Sequence, residues 1–366
     1  MKPSDNPAVP MRDSKGSQAA LAGARCGCYA EAMKRFGQAP CRSLFFHGFR
    51  RLCSKPVPFF HSLEVWGWLL LSMLAVSNAF ASETIQVVAQ QGKVTVRRGD
   101  QTLMVYQSEP NPYKVYVHSL MTPAGRQILR DSPGDHVHHR SLMYAIGVDG
   151  VDFWHEAPSA RPGSQIPIGS LTTRSASSNG RWQASIRQDI DWKDFDGQVL
   201  LRETRRLNLD GGTLPDATLL VWDSQFRTPE GRDQVELWGQ HYFGLGLRMI
   251  PSMDQGAKVL RSTEDDAREV RGTERLWTGP WCGLTAMADG HPVTVAMFDH
   301  PENVPATWFT MTGPFAYLSA TLGWDDEKKT LTADAPLRLR YAVVLWDGEK
   351  SPAEIADAYS RWIEQQ

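Results

Sequence analysis

An all-β fold, a large antiparallel sandwich with one C-terminal α-helix, is what this sequence predicts. Three observations carry that expectation. Short β-branched or alternating runs recur from Thr84 onward, turn residues separate them at short spacing, and no helical period intervenes before residue 351.

Residues 85–88 and 94–97 are short β-branched runs, with Gly92 and Gly99-Asp100 as turns. Residues 113–118 (YKVYVH) alternate at period two. Runs 182–192 and 199–209 are long and mostly alternating, and Asp210-Gly211-Gly212 reads as a hairpin turn. Runs 218–226, 293–298, 316–322 and 337–345 complete the series. Strand following strand without intervening helices argues antiparallel pairing rather than βαβ units. The helix spans 351–365: Ser351 caps it, Pro352 suits its first turn and Glu354 completes a capping box. Ile355, Tyr359, Trp362 and Ile363 share one face, which would pack on the sandwich. No repeat, low-complexity linker or domain boundary interrupts 82–366, which reads as one domain.

The 366 residues are 42% hydrophobic and 22% charged, the composition of a folded chain. A mean hydropathy of −0.37 excludes a multi-span membrane protein. Thirteen Trp are available for a β core or for a sugar-binding cleft.

Residues 1–81 read as a leader. Basic Arg50, Arg51 and Lys55 precede an uncharged run, 65–81, that ends Ala79-Phe80-Ala81 before Ser82. A basic region, an apolar region and an A-x-A site describe a secretory signal peptide, with an uncleaved anchor as the alternative. The segment upstream is long for such a peptide, and Met33 is a candidate later start. The expectation is an exported protein, periplasmic or extracellular. Ten of the 39 basic and four of the 41 acidic residues fall in 1–81, so the remaining 285 residues hold 29 basic against 37 acidic, a net −8. An acidic exported domain is a poor partner for nucleic acid or anionic lipid. Of the five Cys only Cys282 lies beyond the leader, which excludes an intrachain disulfide in the mature chain.

Four segments could carry chemistry. The first is Asp135-His136-Val137-His138-His139-Arg140. Read as extended, it points His136, His138 and Arg140 to one face. Imidazoles at i and i+2 can share a divalent metal or a substrate, and they exchange protons near neutral pH. The alternative is a hydrogen-bonded strand end. In the second, 150–156, Asp152, His155 and Glu156 are candidate acids, bases or orienters, and Trp154 could stack on a sugar or fill the core. The third, 238–248, holds His241 and Arg248. Its glycines lack the phosphate-binding spacing, and Arg248 could bind a carboxylate or pair with an internal Asp. The fourth contains Asp299-His300-Pro301, then Trp308. Asp299 could set the tautomer of His300, a third metal ligand or a base; a turn is the alternative.

These segments together (GDHVHHRSLMYAIG with GVDFW, HYFGLGLR, and VAMFDHPENVPATWF with GPFAYLSA) resemble the bacterial family labelled "methane oxygenase PmoA-like" over most of the mature chain. That family commonly reads D-H-P-H-H-R-G, so Val137 and Ser141 depart from its pattern. The label does not imply methane oxidation here. The membrane monooxygenase subunit of that name is a bundle of transmembrane helices, and no run after residue 81 is long enough to span a bilayer. The Pro123-Ala124-Gly125 turn followed by the His/Arg segment is also similar to the galactose-mutarotase-like supersandwich. That similarity implies a cleft on one sheet, lined by His and carboxylate groups.

The resulting expectation is an exported enzyme acting on a carbohydrate or sugar derivative by hydrolysis, elimination or epimerisation. His136, His138, Arg140, Glu156 and His300 are the expected catalytic groups, and His139, Trp154, His241, Arg248 and Trp308 the expected substrate contacts. His136, His138 and His300 are the expected ligands if a divalent metal binds. A non-catalytic sugar binder using Trp154, Trp308 and Trp324 as platforms is the alternative, and a structural envelope protein is another.

Overall fold

A computed structural model describes residues 84–264, 267–325 and 327–366. The leader, with its apolar run at 65–81, lies outside the described residues. The described residues form three antiparallel sheets and one C-terminal helix. Among them no helix is long and apolar enough to cross a membrane.

The largest sheet has ten strands, in the order Ile85–Gln90, Lys93–Arg98, Gln101–Gln107, Tyr116–Leu120, Leu142–Ala145, Gly244–Arg248, Tyr317–Thr321, Thr307–Met311, Arg275–Thr278 and Arg268–Glu269. The second has eight: Lys258–Arg261, Trp281–Ala288, His291–Asp299, Leu337–Asp347, Ala217–Arg227, Val199–Asp210, Arg181–Lys193 and Ser164–Ser178. A small four-stranded sheet joins Lys329–Thr332, Gln234–Trp238, Gly147–Val148 and Val151–Asp152.

The two large sheets enclose the main core. Tyr106 from the first donates a hydrogen bond to Gln188 of the second at 2.6 Å, and Tyr144 packs its ring on Trp192 and Phe226 across the gap. The middle of the eight-stranded sheet is buried on both faces. Leu220, Trp222, Val295, Met297, Val343 and Leu345 face the main core. Their neighbours Leu219, Val221, Ala296, Phe298, Ala342 and Val344 face a second cluster under the helix. That double burial is why runs such as ATLLVW and YAVVLW are continuous rather than alternating.

Helix α1 (Pro352–Ile363) has the expected capping box. Ser351 Oγ accepts from the Glu354 amide at 3.3 Å, and Glu354 Oε2 accepts from the Ser351 amide at 2.8 Å. Ile355, Ala358 and Trp362 are buried against the sheet, each large side chain contributing about 1.5–3 kcal/mol. The Asp210 turn also forms. Its Oδ1 accepts from the amides of Gly212 and Thr213, and the next strand begins at Ala217. The alternating run at 113–118 starts later than its pattern predicts, as Tyr116–Leu120: the Tyr113 carbonyl and the Val115 amide bond to Gln165 before the strand begins, and Lys114 turns inward to a buried carboxylate.

Candidate functional site

Strand register sets the floor of the site. Leu245 pairs with Tyr144, so both face the main core. Gly246 and Arg248, one residue out of phase, face the opposite side of the ten-stranded sheet, beside Ser319 and Tyr317 of the next strand. Over this outer face lie Trp154, Tyr242, Phe243, Phe309 and Phe315. Trp154 stacks on Phe243 with centroids 5.0 Å apart, and Tyr242 meets Phe309 at 6.1 Å.

The His segment crosses this floor as a loop, which corrects the extended reading. Pro133-Gly134 turns the chain, the His136 amide bonds to the Pro133 carbonyl, and the His139 amide to the His136 carbonyl, both at 2.9 Å. A bridge between Asp131 and Arg140 closes the loop. Side chains do not alternate in such turns, so Arg140 parts from His136 and His138. The three imidazoles nevertheless converge. His139 stacks on His136 at 4.7 Å and on Tyr317 at 5.0 Å, and His138 meets His139 at 4.7 Å and His155 at 4.9 Å.

Two of these rings are oriented by carboxylates. His155 Nδ1 is 2.7 Å from Asp152 Oδ2, whose other oxygen accepts from the amides of Trp154 and His155. His136 Nδ1 is 2.9 Å from Asp135 Oδ2. A carboxylate at Nδ1 leaves Nε2 as the reactive nitrogen. His138 has no such partner. Burial, then the neighbouring His155 and Lys114, lower its pKa to about 4, so it is neutral at pH 7. Burial holds His139 still further below the ordinary imidazole value.

Glu156 is not a free acid or base, contrary to expectation. It is buried, takes a bidentate contact from Arg140 (Nη2 to Oε2, 2.6 Å) and accepts from Lys114 Nζ at 2.6 Å. Arg140 is thereby committed to Glu156 rather than presented to a substrate. Lys114, which no sequence pattern singles out, also donates to the Trp154 carbonyl at 2.7 Å, and burial lowers its pKa to about 8.

His300 lies apart from the cluster, and its expected role there is corrected. Its Nε2 is 3.2 Å from Arg340 Nη1, and its ring meets Trp362 of α1. Asp299 bonds Asn303 and the Ala306 amide and does not reach the His300 ring; it closes a turn, and burial raises its pKa to about 6. A ligand set of His136, His138 and His300 is therefore not assembled. Among the described residues no group of three or more His, Cys, Asp or Glu is placed to hold a metal ion.

The tryptophan platforms are corrected too. Trp154 and Trp308 are 0% exposed and Trp324 is buried. Trp154 is floor, and Trp308 is a core residue whose Nε1 donates to the Gly279 carbonyl. His241 shares the aromatic layer, meeting Tyr242 at 5.0 Å and Phe309 at 5.5 Å. Arg248 reaches the cluster through Asp135, at 3.2 Å, and through Phe315.

Several polar atoms buried around the rings have no partner: His139 Nδ1, Trp154 Nε1, Tyr317 Oη, and Nε and Nη1 of Arg248. Such atoms are rare in native interiors and mark places where a bound group or water completes the bonding. Two cavities lie elsewhere. One, about 1030 Å³, runs along the outer face of the eight-stranded sheet beside Trp362 and Gln366, and one of about 270 Å³ adjoins His300 and Arg340. Of the residues lining these two cavities, only Trp362 has a buried polar atom without a partner, its Nε1.

A sequence model of a family of unknown function (DUF6807) matches residues 93–360, and the chain belongs to that family. No curated protein matches. Among the solved structures to which the chain is similar are three described as sugar enzymes. The α-galactosidase of Lactobacillus brevis is 9% identical, with a TM-score of 0.43 over 76% of this chain and 42% of its own. The GH36 α-galactosidase AgaB of Geobacillus stearothermophilus is 12% identical, with a TM-score of 0.43 over 73% and 41%. A Klebsiella pneumoniae protein provisionally described as an aldose 1-epimerase is 10% identical, with a TM-score of 0.41 over 77% and 86%. The chain spans about two fifths of the length of the two galactosidases.

Proposed function

We propose that this member of the DUF6807 family is an exported enzyme that moves a proton at a carbon or glycosidic oxygen of a sugar derivative. The observation that carries this reading is geometric: the His155 ring, held by Asp152 at 2.7 Å, meets the His138 ring with centroids 4.9 Å apart, in a cluster that also contains His136 and His139. A neutral imidazole accepts a proton, and a second imidazole a few ångströms away returns one, which suits elimination, epimerisation or hydrolysis. His138 serves as the base and His155 as its partner. The Lys114–Glu156–Arg140 group supports them from below. Export rests on the leader at 1–81 with its apolar run at 65–81, and the sugar class rests on the resemblance of the His and Arg segments. The buried Trp154, Trp308 and Trp324 count against a platform-type sugar binder.

The test is deuterium exchange. The purified protein is incubated in D2O with a panel of aldoses, uronic acids and their glycosides, and incorporation or turnover is read by NMR. Exchange should be lost in His138→Ala and His155→Ala and kept in His300→Ala. Absence of exchange and turnover across the panel, with sugar binding intact in every variant, would overturn the reading in favour of plain binding. Cleavage before Ser82 in an expressing bacterium, read by N-terminal sequencing, tests export.

A further inference from the structure

Arg248 is a buried cation with most of its hydrogen bonds unmade. Its side chain is 2% exposed, yet of its three guanidinium nitrogens only Nη2 has a partner, Asp135 Oδ2 at 3.2 Å. Nε and Nη1 have none. A guanidinium offers five N–H donors in a planar fork that matches the two oxygens of a carboxylate. Leaving such a group buried and unsatisfied is costly. Asp135 is a poor answer to it. Its side chain is 44% exposed, and the one oxygen that reaches Arg248 is shared with His136 Nδ1.

The surroundings hold the fork firmly. The guanidinium carbon lies 3.3 Å from the centroid of the Phe315 ring, which fixes its plane. Phe315 in turn contacts His136 at 4.9 Å and His139 at 5.7 Å, so an anion on the fork lies beside the imidazoles. Asp135 sits at the exposed tip of a loop whose two ends are tied by the Asp131–Arg140 bridge. It can leave while the loop base stays in place.

We propose that Arg248 is the seat of a substrate carboxylate, and that Asp135 is a stand-in which the substrate displaces. The substrate is then a sugar acid, such as a uronic acid or its glycoside. This assignment rests on the proton-transfer reading for its catalytic consequence, and gives that reading a chemical reason. A C–H bond next to a carboxylate can be broken with its electron pair passing onto the carboxylate oxygens, where a bidentate guanidinium neutralises the charge. The proton goes to His138. Return of a proton to the same carbon from the other face gives the epimer. Loss of the β-oxygen substituent, protonated by His155, gives the unsaturated sugar instead.

The test is binding to the full chain by calorimetry at constant ionic strength, comparing D-glucuronate with D-glucose and D-galacturonate with D-galactose. The acids should bind at least about tenfold more tightly than the parent sugars. Asp135→Asn should tighten acid binding severalfold by replacing the competing carboxylate with a neutral amide, and Arg248→Lys should weaken it by about tenfold or more. Equal binding of acid and parent sugar, absence of acid binding, or weaker acid binding in Asp135→Asn overturns the proposal. Should Arg248→Lys fail to fold, Asp135→Asn decides alone. Equal binding of glucose 6-sulfate overturns the carboxylate assignment. Acid binding without deuterium exchange leaves the seat standing and removes proton transfer. Exchange on neutral sugars without acid preference removes the seat alone.

Discussion

Tyr317 places its hydroxyl where a side chain on Gly246 would stand, so a methyl group at 246 would collide with Oη and press on the Trp154 ring. The glycine of the HYFGLGLR segment therefore serves close ring packing on the floor of the site, not phosphate binding. Gly246→Ala is expected to destabilise the fold by about 1–3 kcal/mol. Tyr317→Phe removes the tightest contact, leaving Cζ at 2.9 Å, together with a buried hydroxyl without a partner. Thermal melts should show the double variant recovering part of the loss, and a double variant no better than Gly246→Ala would contradict the packing argument.

Removing the carboxylate at 156 strands two buried cations. Glu156→Gln leaves Lys114 with the Trp154 carbonyl and Arg140 with Asp131 at 3.9 Å as their remaining partners, at a cost of about 3 kcal/mol. Lys114→Met leaves Arg140 bidentate on Glu156 and should cost clearly less. Urea midpoints of the two variants check the order, and equal losses would refute it.

Ser141 occupies a left-handed conformation, with φ of 49°, and its buried hydroxyl has no partner. That conformation costs an L-residue about 1–2 kcal/mol, against about 0.5–1 kcal/mol for the extra chain entropy of glycine. Ser141→Gly should stabilise the protein by roughly 0.5–1 kcal/mol. A fall in melting temperature would mean that the hydroxyl has a function in the fold.

The low pKa of His138 has a signed consequence for stability. The folded value is about 4, and the unfolded value is about 6.5. Between those values the unfolded chain binds more protons, so stability rises with pH across the window and is lost as pH falls from about 6.5 towards 4. The His138→Gln variant should lose less stability than the parent between pH 7 and pH 4.5 in denaturant titrations. NMR titration gives the direct check, and an inflection for His138 at the ordinary imidazole value would remove the desolvated environment. If His138 is the base, activity should persist well below pH 6.

The residues of the candidate site are visible in the sequence more clearly than their contacts. His136, His138, His139 and Arg248 stand in recognisable segments and do meet. Asp152 and His155, read only as candidate orienters or acids, turn out to be a bonded pair. Lys114 carried no signal, because a lone lysine in an alternating run reads as solvent-facing until the fold buries it.

Local chemistry was enough to determine the strand runs, the Asp210 turn and the capped helix, since periodicity, turn residues and caps act over a few positions. Only the tertiary structure decided which sheet face each residue serves. Adjacency put Asp299 beside His300, yet Asp299 closes a turn and His300 lies against the helix. Adjacency also spread His136, His138 and Arg140 along one strand, yet the Pro133-Gly134 turn gathers the imidazoles and sends Arg140 to Glu156. Turns break the alternation on which sequence reading depends, and burial, which sets the charge of His138 and exposes the unmet bonds of Arg248, is a property of residues brought together from distant parts of the chain.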